Sequence, residues 1–368
     1  MKIPGSRSFI NLTGKFFGKK TPKTWYPYSK IFIKSENSNW VLDSIRNEMR
    51  NVCKRISIPL IEEKYGHKLE NQCIFFTSKY DALKHLVGNR NKIAFPMYHG
   101  NPDNDRKFKD HLDVISEHHN KIDRIQVSNS FMRDVILKTG IDYKKIYQIP
   151  ISIDIDNFPM NSSKIEKNNA KDALGINKDS FLIGSFQKDG EGWGSGDKPK
   201  LIKGPDILVE VIKSLKICHP KIEVLLTGPA RGYVKNELKK LNIKFKHFII
   251  DDYRDIPSYY KALDLYLITS REEGGPRSIL ESMASGVPLV TTKVGQAIDL
   301  VEHQENAWMV DVDDTNGLIN WSKYIIKNYD AITKNLNQAR KTAISNCYDA
   351  QLDMWIEFMK GFVIGAEK

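Results

Sequence analysis

Ser270-Arg-Glu-Glu-Gly-Gly-Pro-Arg-Ser-Ile-Leu-Glu-Ser-Met-Ala-Ser-Gly-Val-Pro-Leu-Val290 decides the fold. Just upstream, Leu263-Asp-Leu-Tyr-Leu-Ile-Thr269 has the hydrophobic pattern of a short buried strand. Gly286-Val-Pro288 stops the helix between, and Leu289-Val-Thr-Thr292 starts a second strand. Strand, loop, helix and strand make one unit of a parallel sheet, and such sheets take ligands beyond the carboxyl ends of their strands. Two carboxylates, Glu273 and Glu281, bracket the Gly-Gly-Pro turn. Pro276 suits the first helical position, because its missing N–H is one the helix cannot pair. The N–H groups around Gly275, Arg277 and Ser278 would then face the crevice with the positive end of the helix dipole behind them, as a diphosphate requires. Gly274 and Gly275 would let a bulky anion approach the backbone. Glu273 would face whatever the phosphates carry. Glu281, about a turn into the helix, would accept hydroxyl hydrogen bonds such as those of a ribose, since a carboxylate repels a phosphate. The alternative for the acids is a solvated helix start favoured by the dipole.

These motifs resemble the donor-site signature of retaining GT-B glycosyltransferases, especially family 4. The resemblance rests on the Glu-x7-Glu spacing from Glu273 to Glu281, followed by Ser-Met-Ala-Ser-Gly-Val-Pro. Thr292-Lys-Val-Gly-Gln-Ala-Ile-Asp-Leu-Val301 resembles the family's Val-Gly-Gly-x-x-Glu run, with Gln296 for the second Gly and Asp299 for the Glu. Glu305 to Asp313 resembles its Asn-Gly segment, with Ala307 for Gly. Phe181-Leu-Ile-Gly184 and Lys203-Gly-Pro-Asp206 are similar to its first C-domain strand and following helix start. The resemblance implies two Rossmann-like doubly wound parallel-sheet domains facing a cleft. It also implies a hexose-type sugar moved with retention from a nucleotide-diphosphate sugar to a glycan or lipid-linked acceptor, as in surface polysaccharide biosynthesis. No cofactor beyond the donor is implied. A catalytically impaired sugar-binding or scaffold protein and a nucleotide-sugar epimerase are the competing expectations.

Alternating strands and helices run from Ile31 onward, the mark of a doubly wound sheet. A chain of 368 residues exceeds one ordinary core. Five parts are expected: a basic aromatic extension at 1–30, an acceptor-side domain at 31–158, a polar linker at 159–178, a donor domain at 179–335, and C-terminal helices at 336–368 crossing back to the first domain. The helix expected there, Leu352-Asp-Met-Trp-Ile-Glu-Phe-Met359, is amphipathic at helical spacing. The loop after Ile33 has no Gly before Trp40, whereas the family carries a Gly-rich loop there. That departure leaves the acceptor site unassigned.

Hydrophobic content of 40% and charge of 27% are those of a water-soluble globular chain, and no apolar run approaches the roughly 18 residues of a membrane span. No secretory signal is read at the N-terminus. Cys53, Cys73, Cys218 and Cys347 show no regular spacing, as expected of free thiols in a reducing cytosol. Of the net charge of +11, residues 1–30 supply +7, from Lys2, Arg7, Lys15, Lys19, Lys20, Lys23 and Lys30 with no acid. Phe9, Ile10, Leu12, Phe16, Phe17, Trp25, Tyr26 and Tyr28 interleave with them. Such a segment suits the surface of an anionic bilayer, each cation adding about 1 kcal/mol; a solvated tail is the alternative. The expected location is cytoplasmic with peripheral contact on the inner membrane face. No stacking or zinc motif supports nucleic acid.

Cations should neutralise the diphosphate as it leaves. By resemblance Lys203 is one of them. The family's Arg position is Ser185 here, just after Gly184, and Lys188 or Lys200 of the Gly-rich loop 184–200 could substitute. That loop forms neither a GxGxxG fingerprint nor a Walker ending. Thr227-Gly228 and Tyr253-Arg254 lie at strand ends where base and ribose could bind. His99, before Gly100, matches the place where the family carries a His near the donor sugar. Asp103-Asn-Asp105, Asp154-Ile-Asp156 and Asp311-Val-Asp313 fit the metal-binding Asp-x-Asp, but scattered copies suggest chance, and no metal is expected.

Overall fold

Two six-stranded parallel sheets organise the computed structural model, which describes residues 27–34, 41–63, 69–86, 90–103, 105–160 and 163–365. The first contains β1 (Ile31–Lys34), β2 (Leu60–Glu63), β3 (Cys73–Phe76), β4 (Lys92–Met97), β5 (Arg124–Val127) and β6 (Ile146–Gln148), in the order β2-β1-β3-β4-β5-β6. The second contains β7 (Phe181–Phe186), β8 (Ile222–Thr227), β9 (Lys244–Phe248), β10 (Leu265–Ile268), β11 (Leu289–Thr292) and β12 (Trp308–Val310), in the order β12-β11-β10-β7-β8-β9. Every pairing between the strands of these two sheets is parallel. Helices cover both faces, so inner strands such as β3 and β10 are buried along their whole length and read as unbroken apolar runs.

Strand order reverses between β7 and β10, which pair centrally although far apart in sequence. Loops leaving two such strands diverge and open a crevice. The crevice is closed from the other side by the first domain, whose residues after β5 reach across it. Ser128 Oγ and Asn129 Nδ2 both donate to Gly274 O, at 2.6 and 2.7 Å.

Residues 159–178 are not a polar linker throughout. A helix, Lys164–Ala173, capped by Ser163, packs on the second domain. Its Lys167 and Lys171 bury their stems and donate to Asp264 at 3.0 and 2.6 Å. Polar composition concealed the helix because lysine can bury its hydrocarbon and still satisfy its ammonium. The edge strand β2 also escaped the sequence reading, since Leu60-Ile-Glu-Glu63 lacks the apolar run of its neighbours.

The helix Leu352–Met359 lies on the first sheet, where Trp355 and Phe358 pack edge-on against Phe75, with ring centroids 6.5 and 6.2 Å apart. Residues 1–26 of the basic extension and the loop 35–40 lie outside the described residues. No described helix is long and apolar enough to cross a membrane.

Candidate functional site

The loops after β7 and β10 are pressed together at the switch point. Gly204 adopts φ +60°, and a Cβ there would lie 1.9 Å from Thr269 O, so only Gly fits. Arg271 N and Glu272 N both donate to Ile202 O, at 2.9 and 3.1 Å. Arg271 fastens the same corner by pairing with Asp206 at 2.7 Å and Asp313 at 2.6 Å. This packing brings Lys203 and Glu273 together, Nζ to Oε2 at 2.6 Å, while Ser270 Oγ donates to the other carboxylate oxygen at 2.9 Å. Seventy residues separate the pair. The sequence marked both and gave no sign of their contact.

Glu281 sits deeper, 6% exposed, and accepts from Tyr253 Oη at 2.5 Å and Tyr260 Oη at 2.9 Å. Burial raises its pKa, opposed by the Tyr253 hydroxyl, the Arg277 charge and the Tyr260 hydroxyl. Arg277 lies over the Tyr253 ring, 5.0 Å from its centroid. Burial works against the Arg277 charge, but Tyr253, Tyr348, Glu281 and Glu48 around it outweigh that and strengthen its hold on the proton. Glu281 therefore anchors a buried tyrosine–arginine cluster rather than a solvated helix start. A ligand hydroxyl reaching Glu281 would share its oxygens with these tyrosines or displace Tyr253, which is 40% exposed.

The helix after the Gly-Gly-Pro turn is short, Ser278–Ala284, so Pro276 precedes its first position rather than occupying it. Pro276 O instead accepts from Ile279 N at 3.1 Å. Seven residues align few peptide dipoles, which shifts the task of neutralising an anion towards side-chain cations. Gly274 is pressed against Tyr98, which a Cβ would meet at 2.8 Å, and Gly275 against Ile151.

Across the crevice His99 remains in contact with solvent. Even so, the surrounding protein withdraws enough water to hold its pKa down to about 4; Lys79, Lys203 and Lys200 push the same way and Glu273 opposes. The imidazole is neutral at physiological pH and offers one donor and one acceptor. Beneath it, Lys79 Nζ donates to His99 O at 2.9 Å, and burial lowers the lysine to about 8 against the pull of Asp105 and Glu272. Composition alone could not single out Lys79. Gln296 and Asp299, the two departures from the family pattern, join the domains. Gln296 Oε1 accepts from Ile151 N at 2.9 Å, and Asp299 accepts from Ser130 N at 2.7 Å and Gln148 Nε2 at 3.0 Å.

Other expected donor residues lie elsewhere. Gly184 is inside β7 beneath Leu263 and Tyr266, a packing glycine rather than a loop against an anion. Ser185 and Thr227 are buried around Arg231, whose guanidinium donates to Ser185 O, Gln187 O and Thr227 O at 2.6, 3.0 and 3.0 Å and pairs with Asp189 at 2.9 Å. A guanidinium thus does stand beside Ser185, supplied by a different loop and committed to holding strand ends. Gly228 lies at the end of β8, its carbonyl 2.7 Å from His247 Nε2. Arg254 is exposed and pairs with Asp252. Lys188 Nζ lies 4.3 Å from the centroid of Trp193. Asp105 caps the helix Arg106–His118, Asp154 caps the turn Ile155–Asn157 and Asp313 binds Arg271. One acid of each Asp-x-Asp copy therefore has a structural task, and no group of three or more metal-ligating side chains occurs among the described residues.

Residues 199–344, which hold Lys203, Glu273 and Glu281, match the family model described as glycosyl transferases group 1. Residues 199–344 are thus similar to the group 1 glycosyl transferases. Relatives of this domain include the lipopolysaccharide core biosynthesis mannosyltransferase LpsB of Rhizobium meliloti, 28% identical over 163 residues, which are 42% of this chain and 44% of LpsB. A UDP-Gal:alpha-D-GlcNAc-diphosphoundecaprenol alpha-1,3-galactosyltransferase of Escherichia coli is 27% identical over 49% of this chain and 45% of its own. The matched stretches span less than half the length of either relative. The crystal structure of Anabaena HepE in complex with UDP superposes with a TM-score of 0.71 at 18% identity, covering 90% of this chain and all of that one. That likeness extends the GT-B fold over both domains, including the first, which lies outside the group 1 match.

Proposed function

We propose that the chain transfers a hexose-type sugar, with retention of configuration, from a nucleotide-diphosphate sugar to a glycan or lipid-linked glycan. The observation that carries the reading is the Lys203–Glu273 contact at the switch point, 2.6 Å between a cation and a carboxylate drawn from two loops. A departing diphosphate gathers negative charge where Lys203 stands, with Lys200 close enough to feel its charge. The sugar ring gathers positive charge, which Glu273 stabilises electrostatically. Neutral His99 faces the same point and can hold a sugar hydroxyl. Glu281, with Tyr253, is assigned to the ribose, and Gly275, Arg277 and Ser278 to the diphosphate. Retention implies attack on the face from which the diphosphate departs, its oxygen taking the acceptor proton. Positive charge comes from side chains, so the reading invokes no metal.

The acceptor class is inferred from relatives named for lipopolysaccharide core and diphosphoundecaprenol-linked substrates. The +7 charge of residues 1–30 supports peripheral contact with an anionic membrane from the cytoplasmic side. The commitment of Arg231 to strand ends favours a second reading, a sugar-binding protein with impaired catalysis. Incubation with a panel of nucleotide sugars, following free nucleotide diphosphate, separates the two: turnover of at least one donor supports the transferase, while saturable binding without turnover of any donor overturns it.

A further inference from the structure

Between β7 and Lys203 the chain makes a hairpin, Lys188 to Lys200, whose tip Gly192-Trp193-Gly194 carries an indole 77% exposed. A lone exposed hydrophobic residue ordinarily needs no explanation. This one is held by a costly framework. Asp189 and Arg231 are paired with both side chains fully buried at the hairpin's base. Lys200 N donates to Asp189 O at 2.8 Å and Glu191 N to Lys198 O at 2.9 Å. The tip is fastened to the next loop by Gly232 N to Ser195 O at 2.8 Å and Tyr233 N to Gly196 O at 2.9 Å. Gly196 takes φ +74° and lies so flat on Ala230 that a Cβ would meet its carbonyl oxygen at 2.2 Å. One ring face of Trp193 is covered by the Lys188 ammonium. The indole is therefore presented on a built-up support with its remaining surface outward.

We propose that Trp193 is a stacking platform for a pyranose ring of the acceptor glycan, a proposal that rests on the transferase reading above. The C–H face of a pyranose is apolar and slightly positive, and the indole face is negative, so the two stack with little ordering cost. The position selects acceptor over nucleotide base. Lys200 feels the charges of Lys203, Lys188, Glu273 and Glu272. Across the crevice His99 feels Lys200 and Lys203. The hairpin thus borders the end of the crevice where the sugar reacts, whereas Glu281 and Tyr253 mark the nucleoside end.

The test follows donor turnover in the presence of p-nitrophenyl gluco-, galacto- and mannopyranosides of both anomers, with Trp193→Ala and Trp193→Phe beside the parent. The platform predicts that Trp193→Ala raises the KM of the accepted glycoside roughly threefold to tenfold, that Trp193→Phe recovers most of it, and that affinity for free nucleotide diphosphate holds. Donor turnover with glycoside KM untouched by Trp193→Ala overturns the platform alone, as does a parent that no glycoside stimulates. Weakened nucleotide binding in Trp193→Ala overturns it too, because the indole would then serve the base. A parent that turns over no donor defeats the transferase reading and the platform with it.

Discussion

Glu48 offers a prediction whose size can be worked from the structure. It lies on the helix Val41–Arg55 of the first domain, 2% exposed, with Oε1 lacking a hydrogen-bond partner among the described residues. Burial raises its carboxyl from 4.5 to about 7, while Arg277 of the donor loop pulls it down; the Trp355 indole lies alongside without completing a hydrogen bond. The sign follows from which state keeps the proton. Between pH 4.5 and about 7 the folded chain retains a proton that the unfolded chain releases, so stability falls as pH rises through that window and levels off above it. At about 1.36 kcal/mol per pH unit the loss approaches roughly 3 kcal/mol. Glu48→Gln removes the titration with little change of shape. Its stability relative to the parent should climb from acid to about pH 8 by up to roughly 3 kcal/mol, on the order of 10 °C in Tm for a domain of this size. Scanning fluorimetry of both proteins across this range measures the difference directly. A difference independent of pH would refute the buried, proton-holding carboxyl. A variant that loses ground as pH rises would show instead that Glu48 is ionised and paired with Arg277.

Lys203→Met should weaken affinity for free nucleotide diphosphate by about tenfold to a hundredfold, the scale of a charged hydrogen bond, as read by calorimetry. Activity should survive excess chelator after dialysis; loss restored by Mn²⁺ or Mg²⁺ would move phosphate neutralisation away from the lysines. Deleting residues 1–28 should abolish co-sedimentation with anionic liposomes while leaving donor turnover in place. Raising salt in the full-length protein should mimic the deletion, because surface charge is screened within about 10 Å at 0.1 M.

The sequence conveyed the fold where its rules are local. Unbroken apolar runs such as Cys73–Phe76 mark buried strands, and Gly286, at φ +66°, marks the helix stop before β11. What it could not convey depends on contacts between distant residues. Lys203 and Glu273 were both conspicuous, but their pairing depends on Gly204 fitting against Thr269. Gln296 and Asp299 looked like losses from a family pattern, yet their longer or better-placed polar groups fasten Ile151 and Ser130 of the other domain. Arg231 became visible beside Ser185 only when two loops were folded over one another. The lysines of the helix Lys164–Ala173 fell within the expected polar linker because nothing local points to Asp264.

The central claim is that Glu273 acts on the transferred sugar while Glu281 holds the nucleoside. Turnover of the accepted donor, measured beside calorimetry of free nucleotide diphosphate for Glu273→Gln and Glu281→Gln, tests it most directly. Glu273→Gln should lower kcat and leave nucleotide affinity close to the parent's, because the sugar alone changes charge in the transition state. Glu281→Gln should weaken nucleotide affinity, because ribose is unchanged through the reaction. Reversed effects would exchange the two roles, and two variants that bind and turn over like the parent would contradict the assignment outright.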